Sequence, residues 1–179
     1  MTKEEFLQYC KEQPQASLWP GYNLTDDQFS GKEKIEGHLY LNVLTSIPKG
    51  FNPVVGGNLY LGGLTSIPKG FNPKVGNHLY LNSLTSIPEG FNPNVGGSLI
   101  LNSLTSIPKG FNPKVGGYLG LGGLTSIPEG FNPVVGGDLN LDSLTEIPEN
   151  FNPEVKGKIF IDETGYDKNP ILEFINFHI

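Results

Sequence analysis

The chain has 179 residues, a formal net charge of −6, a single cysteine, and twelve basic residues that are all lysine. Proteins that read nucleic acids depend on arginine side chains and a concentrated basic face, so this composition disfavours a nucleic-acid partner. A single cysteine excludes an intramolecular disulfide and a cysteine-based metal cluster.

The first segment of the chain predicts a short helical cap. Thr2 and Glu5 have the spacing of a capping box, which predicts a helix over residues 2–13. Pro14 is expected to end this helix. The apolar stripe of the helix consists of Phe6, Leu7, Tyr9 and Cys10.

The N terminus also bears on where the protein acts. Its first residues are rich in charge and lack the apolar centre of a secretory signal. No apolar run approaches the length of about eighteen residues that a membrane span requires. The sequence therefore predicts a cytoplasmic protein without a membrane partner, and association with a surface stays open as the alternative.

Two segments precede the regular part of the chain. Residues 17–22 contain the only tryptophan and are expected to plug the end of the core. Leu24, Phe29 and Ile35 look like an incomplete copy of the repeat that follows, with charged residues in an insertion of two residues. We therefore assign residues 1–36 to an N-terminal helix and capping segment.

A 20-residue unit that begins at Leu39 occurs in six copies in strict register. The intervals between its apolar positions are 2, 3, 3, 4, 4 and 4 residues, as the first copy shows with Leu39, Leu41, Leu44, Ile47, Phe51 and Val55. These intervals fit neither an amphipathic helix nor a long alternating strand, but they fit one turn of a solenoid with a short strand and tight corners. One turn buries too little apolar surface to offset its loss of conformational entropy, so the copies must stack.

Glycine and proline mark the corners of each turn. The positions equivalent to 50 and 57 hold glycine or, at 150 and 77, asparagine, which predicts a left-handed backbone at both corners. The prolines at 48 and 53 favour extended residues before them and exclude a helix. We assign the solenoid to residues 37–161, with a seventh turn that begins at Ile159 and Ile161.

Residues 162–179 break the repeat and are predicted to form a C-terminal cap. Asn169 and Pro170 have the pattern of a helix start, and the apolar residues after them fit either a short helix or a strand. In either form the segment should cover the last turn. An uncovered end would expose unpaired strand edges and allow self-association through the solenoid ends.

The pattern Leu-x-Leu-x-x-Leu-x-x-Ile-Pro-x-x-Phe resembles bacterial leucine-rich repeats, and Leu44-Thr45-Ser46-Ile47 followed by Phe51 is most similar to the surface-antigen-like group. Leu44 stands where many such repeats carry an inward asparagine, whereas the invariant Asn52 falls at a corner. With the periodicity, this resemblance implies a mainly β, leucine-rich-repeat-type solenoid of about six to seven turns between a short helical N-terminal cap and a C-terminal cap. It also implies a protein-binding scaffold that uses the face of the Leu-x-Leu strands.

The repeat argues against catalysis. An enzyme needs unlike residues that converge on one spot, whereas a near-perfect repeat supplies the same residues in every turn. His38 and His78 lie two turns apart, about 9–10 Å along the stack, which is too far for a shared metal ion. The sequence therefore predicts no catalytic residues, no cofactor and no metal ion.

Outward positions of the Leu-x-Leu strand vary among the copies, while core and corner positions are nearly constant. We expect Tyr40, Tyr60 and Tyr80 to stack in a column that ends at Ile100 and forms an exposed aromatic patch. Alternatively, the column only stabilises the sheet through contacts on one face. The predicted partner-binding residues are Tyr40, Tyr60, Tyr80, Ile100, Asn42, Asn82, Asn102, His38, His78 and Tyr118.

The leading hypothesis is a non-enzymatic scaffold for a protein partner, and two other functions fit the same pattern. A carbohydrate-binding or adhesive module would use the tyrosine faces together with the amides of the Asn42 column. An ice-binding protein would use the column of threonines equivalent to Thr45. Against ice binding, Ser46 is not a second threonine in a regular array and Pro48 bends the backbone close by.

Overall fold

The computed structural model describes residues 1–12 and 23–161, and these residues form a parallel β-solenoid with two short helices. Each turn contributes one short strand to each of two sheets, and paired residues lie 20 positions apart, as in Lys34 with Val54 and Leu39 with Leu59. Every strand pair is parallel because each turn returns the chain to its starting direction. The mainly β solenoid predicted from the repeat is therefore confirmed.

The first sheet, here called the leucine sheet, contains seven strands in the described part of the chain. These are β2 (Leu39–Tyr40), β4 (Leu59–Tyr60), β6 (Leu79–Tyr80), β8 (Leu99–Ile100), β10 (Leu119–Gly120), β12 (Leu139–Leu141) and β14 (Ile159–Ile161). They stack in chain order, and β14 begins the seventh turn where the sequence predicts it.

The second sheet, here called the valine sheet, also has seven strands within residues 23–161. These are β1 (Lys34–Ile35), β3 (Val54–Val55), β5 (Lys74–Val75), β7 (Asn94–Val95), β9 (Lys114–Val115), β11 (Val134–Val135) and β13 (Glu154–Val155). The sequence did not predict this sheet, because a two-residue strand with one buried side chain shows no alternation of apolar and polar residues.

The N-terminal helix α1 (Lys3–Glu12) closes the first turn. Its predicted capping box is present: the Thr2 nitrogen donates to Oε2 of Glu5 at 2.8 Å, and the Glu5 nitrogen donates to Oγ1 of Thr2 at 3.1 Å. The Phe6 ring packs at 5.7 Å from the Phe29 ring and 4.7 Å from the Phe51 ring. Because Phe6 is fully buried, α1 covers this end of the core.

The incomplete turn predicted from Leu24, Phe29 and Ile35 places all three side chains in the core. It contains helix α2 (Asp26–Ser30), which the sequence analysis missed although Thr25 and Gln28 form its capping box. Strand β1 then pairs with β3, so this partial turn forms the first layer of the valine sheet.

One continuous core runs along the solenoid. The predicted inward residues of the first five repeats are 0–9% exposed, and rings of the Phe51 column stack with centroids 6.1–6.2 Å apart. In the sixth repeat Ile147, Phe151 and Val155 are only partly buried. The predicted plug at residues 17–22 and the predicted cap at residues 162–179 lie outside the described residues.

The two predicted corners differ in their outcome. The Gly50 corner is confirmed, because its five glycines have φ between 79° and 89°. The prediction for the Gly57 corner is wrong, since Gly57 has no positive φ. A Cβ on Gly57 would lie 2.5 Å from the carbonyl oxygen of Gly37, so glycine at this position permits close stacking of successive turns.

Candidate partner-binding face

Consecutive residues of a strand in the leucine sheet point to opposite sides, so that the leucine side chain is buried and the side chain after it faces outward. Leu39 and Leu59 are fully buried, while Tyr40 and Tyr60 beside them are half-buried. Stacking repeats this arrangement in every turn and creates three outward columns, which begin at His38, Tyr40 and Asn42. We call these columns together the tyrosine face.

The central column is a stack of aromatic rings. The ring centroids of Tyr40 and Tyr60 are 4.5 Å apart with 7° between their planes, and those of Tyr60 and Tyr80 are 4.7 Å apart with 2°. Ile100 pairs with Tyr80 in the next strand. The predicted tyrosine column is therefore present, and the Tyr60 ring has a neighbour on both of its faces.

The tyrosine hydroxyl groups form part of a polar edge on this stack. The Asn58 amide nitrogen donates to the Tyr60 hydroxyl at 2.8 Å. The pKa of Tyr40 is raised, first by desolvation and then by the neighbouring Tyr60 hydroxyl and its hydrogen bond. The Tyr40 hydroxyl is therefore protonated at neutral pH and adds no charge to the face.

The Tyr118 ring extends the aromatic column from the side. A Cβ on Gly120 would lie 2.8 Å from Cε1 of Tyr118, so this ring covers Gly120, the residue that follows Ile100 in the central column. The pKa of Tyr118 is raised by desolvation and then by the carboxylates of Asp142 and Asp138. A neutral aromatic surface thus continues one turn beyond Ile100.

The His38 column varies in sequence, but its side chains form hydrogen bonds between successive turns. Nδ1 of His38 accepts a hydrogen bond from the Asn58 nitrogen at 2.9 Å, and Oδ1 of Asn58 accepts one from the His78 nitrogen at 3.1 Å. Nδ1 of His78 and Oγ of Ser98 continue the series. His38, Asn58, His78 and Ser98, and again Asp138 further along, therefore each supply a side-chain acceptor that joins one turn to the next.

The histidine rings also support the tyrosines. The His38 ring lies edge-on to Tyr40 at 6.0 Å, and the His78 ring lies edge-on to Tyr80 at 6.1 Å. Because Nδ1 is an acceptor in both rings, Nε2 carries the proton of the neutral imidazole. The predicted partner-binding residues His38 and His78 thus border the tyrosine stack.

The asparagine column flanks the central stack on its other side. Asn42, Asn82 and Asn102 are exposed, as a binding residue must be. Oδ1 of Asn42 accepts a hydrogen bond from the Gly62 nitrogen at 2.9 Å. The Asn42 side-chain oxygen is therefore used to join the first turn to the second.

Two exposed apolar residues at the ends of this face were missed by the sequence analysis. Val43 is 68% exposed beside the Asn42 column, and Phe160 is 42% exposed and pairs with Asn140 in the Tyr40 column. The sequence did carry a signal for both. Glycine or serine stands at the positions equivalent to Val43, and Phe160 lies six repeats after Tyr40.

The described side chains offer other chemistry little support. Within residues 1–12 and 23–161, no group of three or more His, Cys, Asp or Glu side chains has a metal-binding arrangement. None of the helices described there has the length and apolar character needed to cross a bilayer.

Comparison of the chain with protein-family models, curated proteins and solved structures finds no significant match. An interpretation of function therefore depends on the chemistry of the tyrosine face.

Proposed function

We propose that this chain is a non-enzymatic scaffold that binds a protein partner through the tyrosine face. The observation that carries the proposal is the stack of Tyr40, Tyr60 and Tyr80 and its continuation through Ile100 and Tyr118. Tyrosine is enriched at protein interfaces because it supplies a large contact area with only two side-chain torsions. Here stacking has already ordered the rings, which lowers the entropy lost on binding.

The geometry of the stack favours a protein over a carbohydrate partner. A module that stacks sugars on tyrosine needs exposed ring faces, but Tyr40 and Tyr80 cover the two faces of Tyr60. The stack instead presents ring edges and hydroxyl groups. Such a surface suits apolar side chains and backbone carbonyls of a protein segment.

We also propose that the solenoid is of the leucine-rich-repeat type. Both leucines of the Leu-x-Leu strand are buried, as are Leu44, Ile47 and Phe51 at the positions that follow. Binding through the strand face is what this resemblance implies, and the tyrosine face lies on those strands. The two arguments for the location of the binding surface are therefore consistent.

Ice binding remains the alternative from a different functional class. The threonines equivalent to Thr45 are exposed in every repeat. The Thr65 hydroxyl donates to the Thr45 carbonyl at 3.4 Å, and the Thr145 hydroxyl donates to the Thr125 carbonyl at 2.9 Å. At these two of the six threonines the hydroxyl proton already has an acceptor within the solenoid, which makes them less suited to ordering water.

The test uses immobilised full-length chain to capture partners from a lysate and then measures the affinity of each purified partner by calorimetry. Tyr60→Ala combined with Tyr80→Ala should weaken binding by about 2 kcal/mol or more, because central aromatic anchors dominate interface energies. Ser86→Ala with Ser106→Ala is the matched control on another exposed column. Equal affinity of the two double variants would refute the face assignment.

Two further measurements separate the alternatives. If the wild type binds to a glycan array and the double tyrosine variant does not, the ligand of the tyrosine face is a carbohydrate and not a protein. Thermal hysteresis that disappears in Thr85→Val with Thr105→Val would establish ice binding. The proposal expects neither activity.

A further inference from the structure

A second surface carries a regular pattern of charge. In each turn the residue after the first proline, which is Pro48 in the first repeat, is exposed and charged. Successive turns place these residues in one line along the solenoid. We call this line the corner column. Its members are Lys49, Lys69, Glu89, Lys109, Glu129 and Glu149.

Reversing the order of the corner column exchanges the sign of the charge at every position. Lys49 and Lys69 occupy one end, whereas Glu129 and Glu149 occupy the other. If two columns lie antiparallel, related by a two-fold axis, Lys49 faces Glu149, Lys69 faces Glu129 and Glu89 faces Lys109. Each contact occurs twice, because a two-fold interface uses the same patch on both copies.

This pattern also specifies the register and direction of such a pair. Parallel alignment in register would place every charge opposite its like. An antiparallel pair displaced by one turn would have two attractive contacts and three contacts between like charges, as the order of charges in the sequence shows. The undisplaced antiparallel arrangement has attractive contacts at every turn. The two columns match in spacing because both come from the same repeat.

The neighbouring outward column of the valine sheet is compatible with this arrangement. It follows five residues after the corner column in each turn and contains Val54, Lys74, Asn94, Lys114, Val134 and Glu154. The same antiparallel pairing places Val54 opposite Glu154, Lys74 opposite Val134 and Asn94 opposite Lys114. No like charges meet in these pairs, so the second column does not oppose association.

The corner column has no counter-ions within the described part of the chain. The ion pairs found there join Lys3 to Asp26, Lys32 to Asp27 and Lys34 to Glu36, all before the first full repeat. None of the six corner charges belongs to them. These charges are therefore free to pair with another molecule.

We propose that two copies of this chain associate side by side in antiparallel orientation through their corner columns. Each exposed Lys–Glu contact is weak alone, so the arrangement acts as a network of six contacts whose strength depends on ionic strength. The corner column lies outside the tyrosine face. Both copies therefore keep that face available for the proposed partner.

The test measures the mass of the full chain by sedimentation across a range of concentrations at low and high salt. At low salt the wild-type mass should rise about twofold with concentration, as for a closed two-fold dimer, and this rise should disappear at high salt. Lys49→Glu with Lys69→Glu should abolish the rise, because it places glutamate opposite glutamate. Glu129→Lys with Glu149→Lys should abolish it as well.

Mixing these two reversed variants is the decisive step. Each variant repels itself, but together they restore opposite charges at every turn, so an equimolar mixture should recover the dimer. The control exchanges Glu89→Lys and Lys109→Glu in one chain, which keeps both the net charge and the complementarity and should leave dimerisation unchanged. A wild-type monomer at low salt, or a mixture that stays monomeric, would overturn the proposal.

Discussion

The side-chain oxygen of Asn52 accepts a hydrogen bond from the backbone nitrogen of Asn72 at 2.6 Å. The amide nitrogen of the same side chain donates to the Gly70 carbonyl at 2.8 Å. Asn72, Asn92 and Asn112 repeat both bonds with the turns that follow them. A side-chain amide carries its donor and its acceptor on two separate atoms, and Asn52 uses both at once, which explains why asparagine is constant at this corner.

The first prediction concerns this asparagine ladder. Asn92→Asp keeps the acceptor for the Asn112 nitrogen but loses the donor to the Gly110 carbonyl, so it should destabilise the fold by about 1 kcal/mol or more. Asn92→Ala loses both bonds and should cost more. Urea unfolding at high ionic strength measures both changes. Asn94→Asp is the control, since it makes the same change on an exposed side chain of the valine sheet, and an equal effect there would contradict the ladder's role.

The second prediction separates two kinds of glycine in the same turn. A Cβ on Gly96 would lie 2.2 Å from the Gly76 carbonyl oxygen, so Gly96→Ala must push two turns apart. Gly90 has φ of 81°, and a Cβ built on it would have no other described residue within 4 Å apart from its chain neighbours, so Gly90→Ala meets only backbone strain, at about 1 kcal/mol.

Thermal melting of the two alanine variants should therefore show a much larger loss for Gly96→Ala. Gly90→Asn is the matched control for backbone strain, because asparagine tolerates positive φ and already stands at the equivalent position 150. It should melt closer to the wild type than Gly90→Ala does. Equal losses at Gly90 and Gly96 would mean that the turns do not stack as closely as described.

Features within one turn were predictable from the sequence. The intervals from Leu39 to Val55 indicated the buried leucine, isoleucine, phenylalanine and valine positions of the first five repeats, and the exchange of glycine with asparagine indicated the left-handed corner at Gly50. Both signals are local, since each depends on the spacing or torsion of a few consecutive residues. The capping box of Thr2 and Glu5 was predictable for the same reason.

Contacts between turns were much harder to predict. Gly57 and Gly50 look alike in a repeat, yet one permits close stacking and the other permits positive φ. The invariance of Asn52 in the sequence fits a corner as well as a ladder between turns, so the sequence alone does not distinguish the two roles. The Tyr118 ring reaches across columns to cover Gly120, a relation that repeat spacing does not encode.

The third prediction concerns Cys10, which is 1% exposed against the first layer of the core. Burial raises the pKa of this thiol from 9.0 to about 12, so roughly a thousandfold less thiolate is present at neutral pH. Alkylation should therefore be very slow in the folded chain and fast after denaturation. Mass spectrometry after a pulse of iodoacetamide measures this difference, and rapid labelling without denaturant would show that α1 does not cover the core.

The same pKa shift predicts how stability depends on pH. The folded state holds the thiol proton more tightly than the unfolded state, so the stabilising contribution is complete below pH 9 and is lost as pH rises from 9 to about 12. Cys10→Ala should lose less stability than the wild type across that interval. Urea unfolding at several pH values makes the comparison, and parallel curves would contradict the assigned cause.

The last prediction compares the C-terminal end of the solenoid with an interior turn. Phe151, Ile159 and Ile161 are only partly buried, whereas Phe131 and the other equivalent residues one turn earlier are buried. Deleting residues 163–179 should leave this last layer and its strand edges uncovered, and the shortened chain should associate end to end.

The control deletes residues 77–96, which removes one interior turn and joins Gly76 to Gly97 in register. That chain should remain unassociated but melt at a lower temperature. Size-exclusion chromatography at high salt, where the corner columns are screened, distinguishes the two, and an aggregated interior deletion beside a monomeric end deletion would show that residues 163–179 are not the cap.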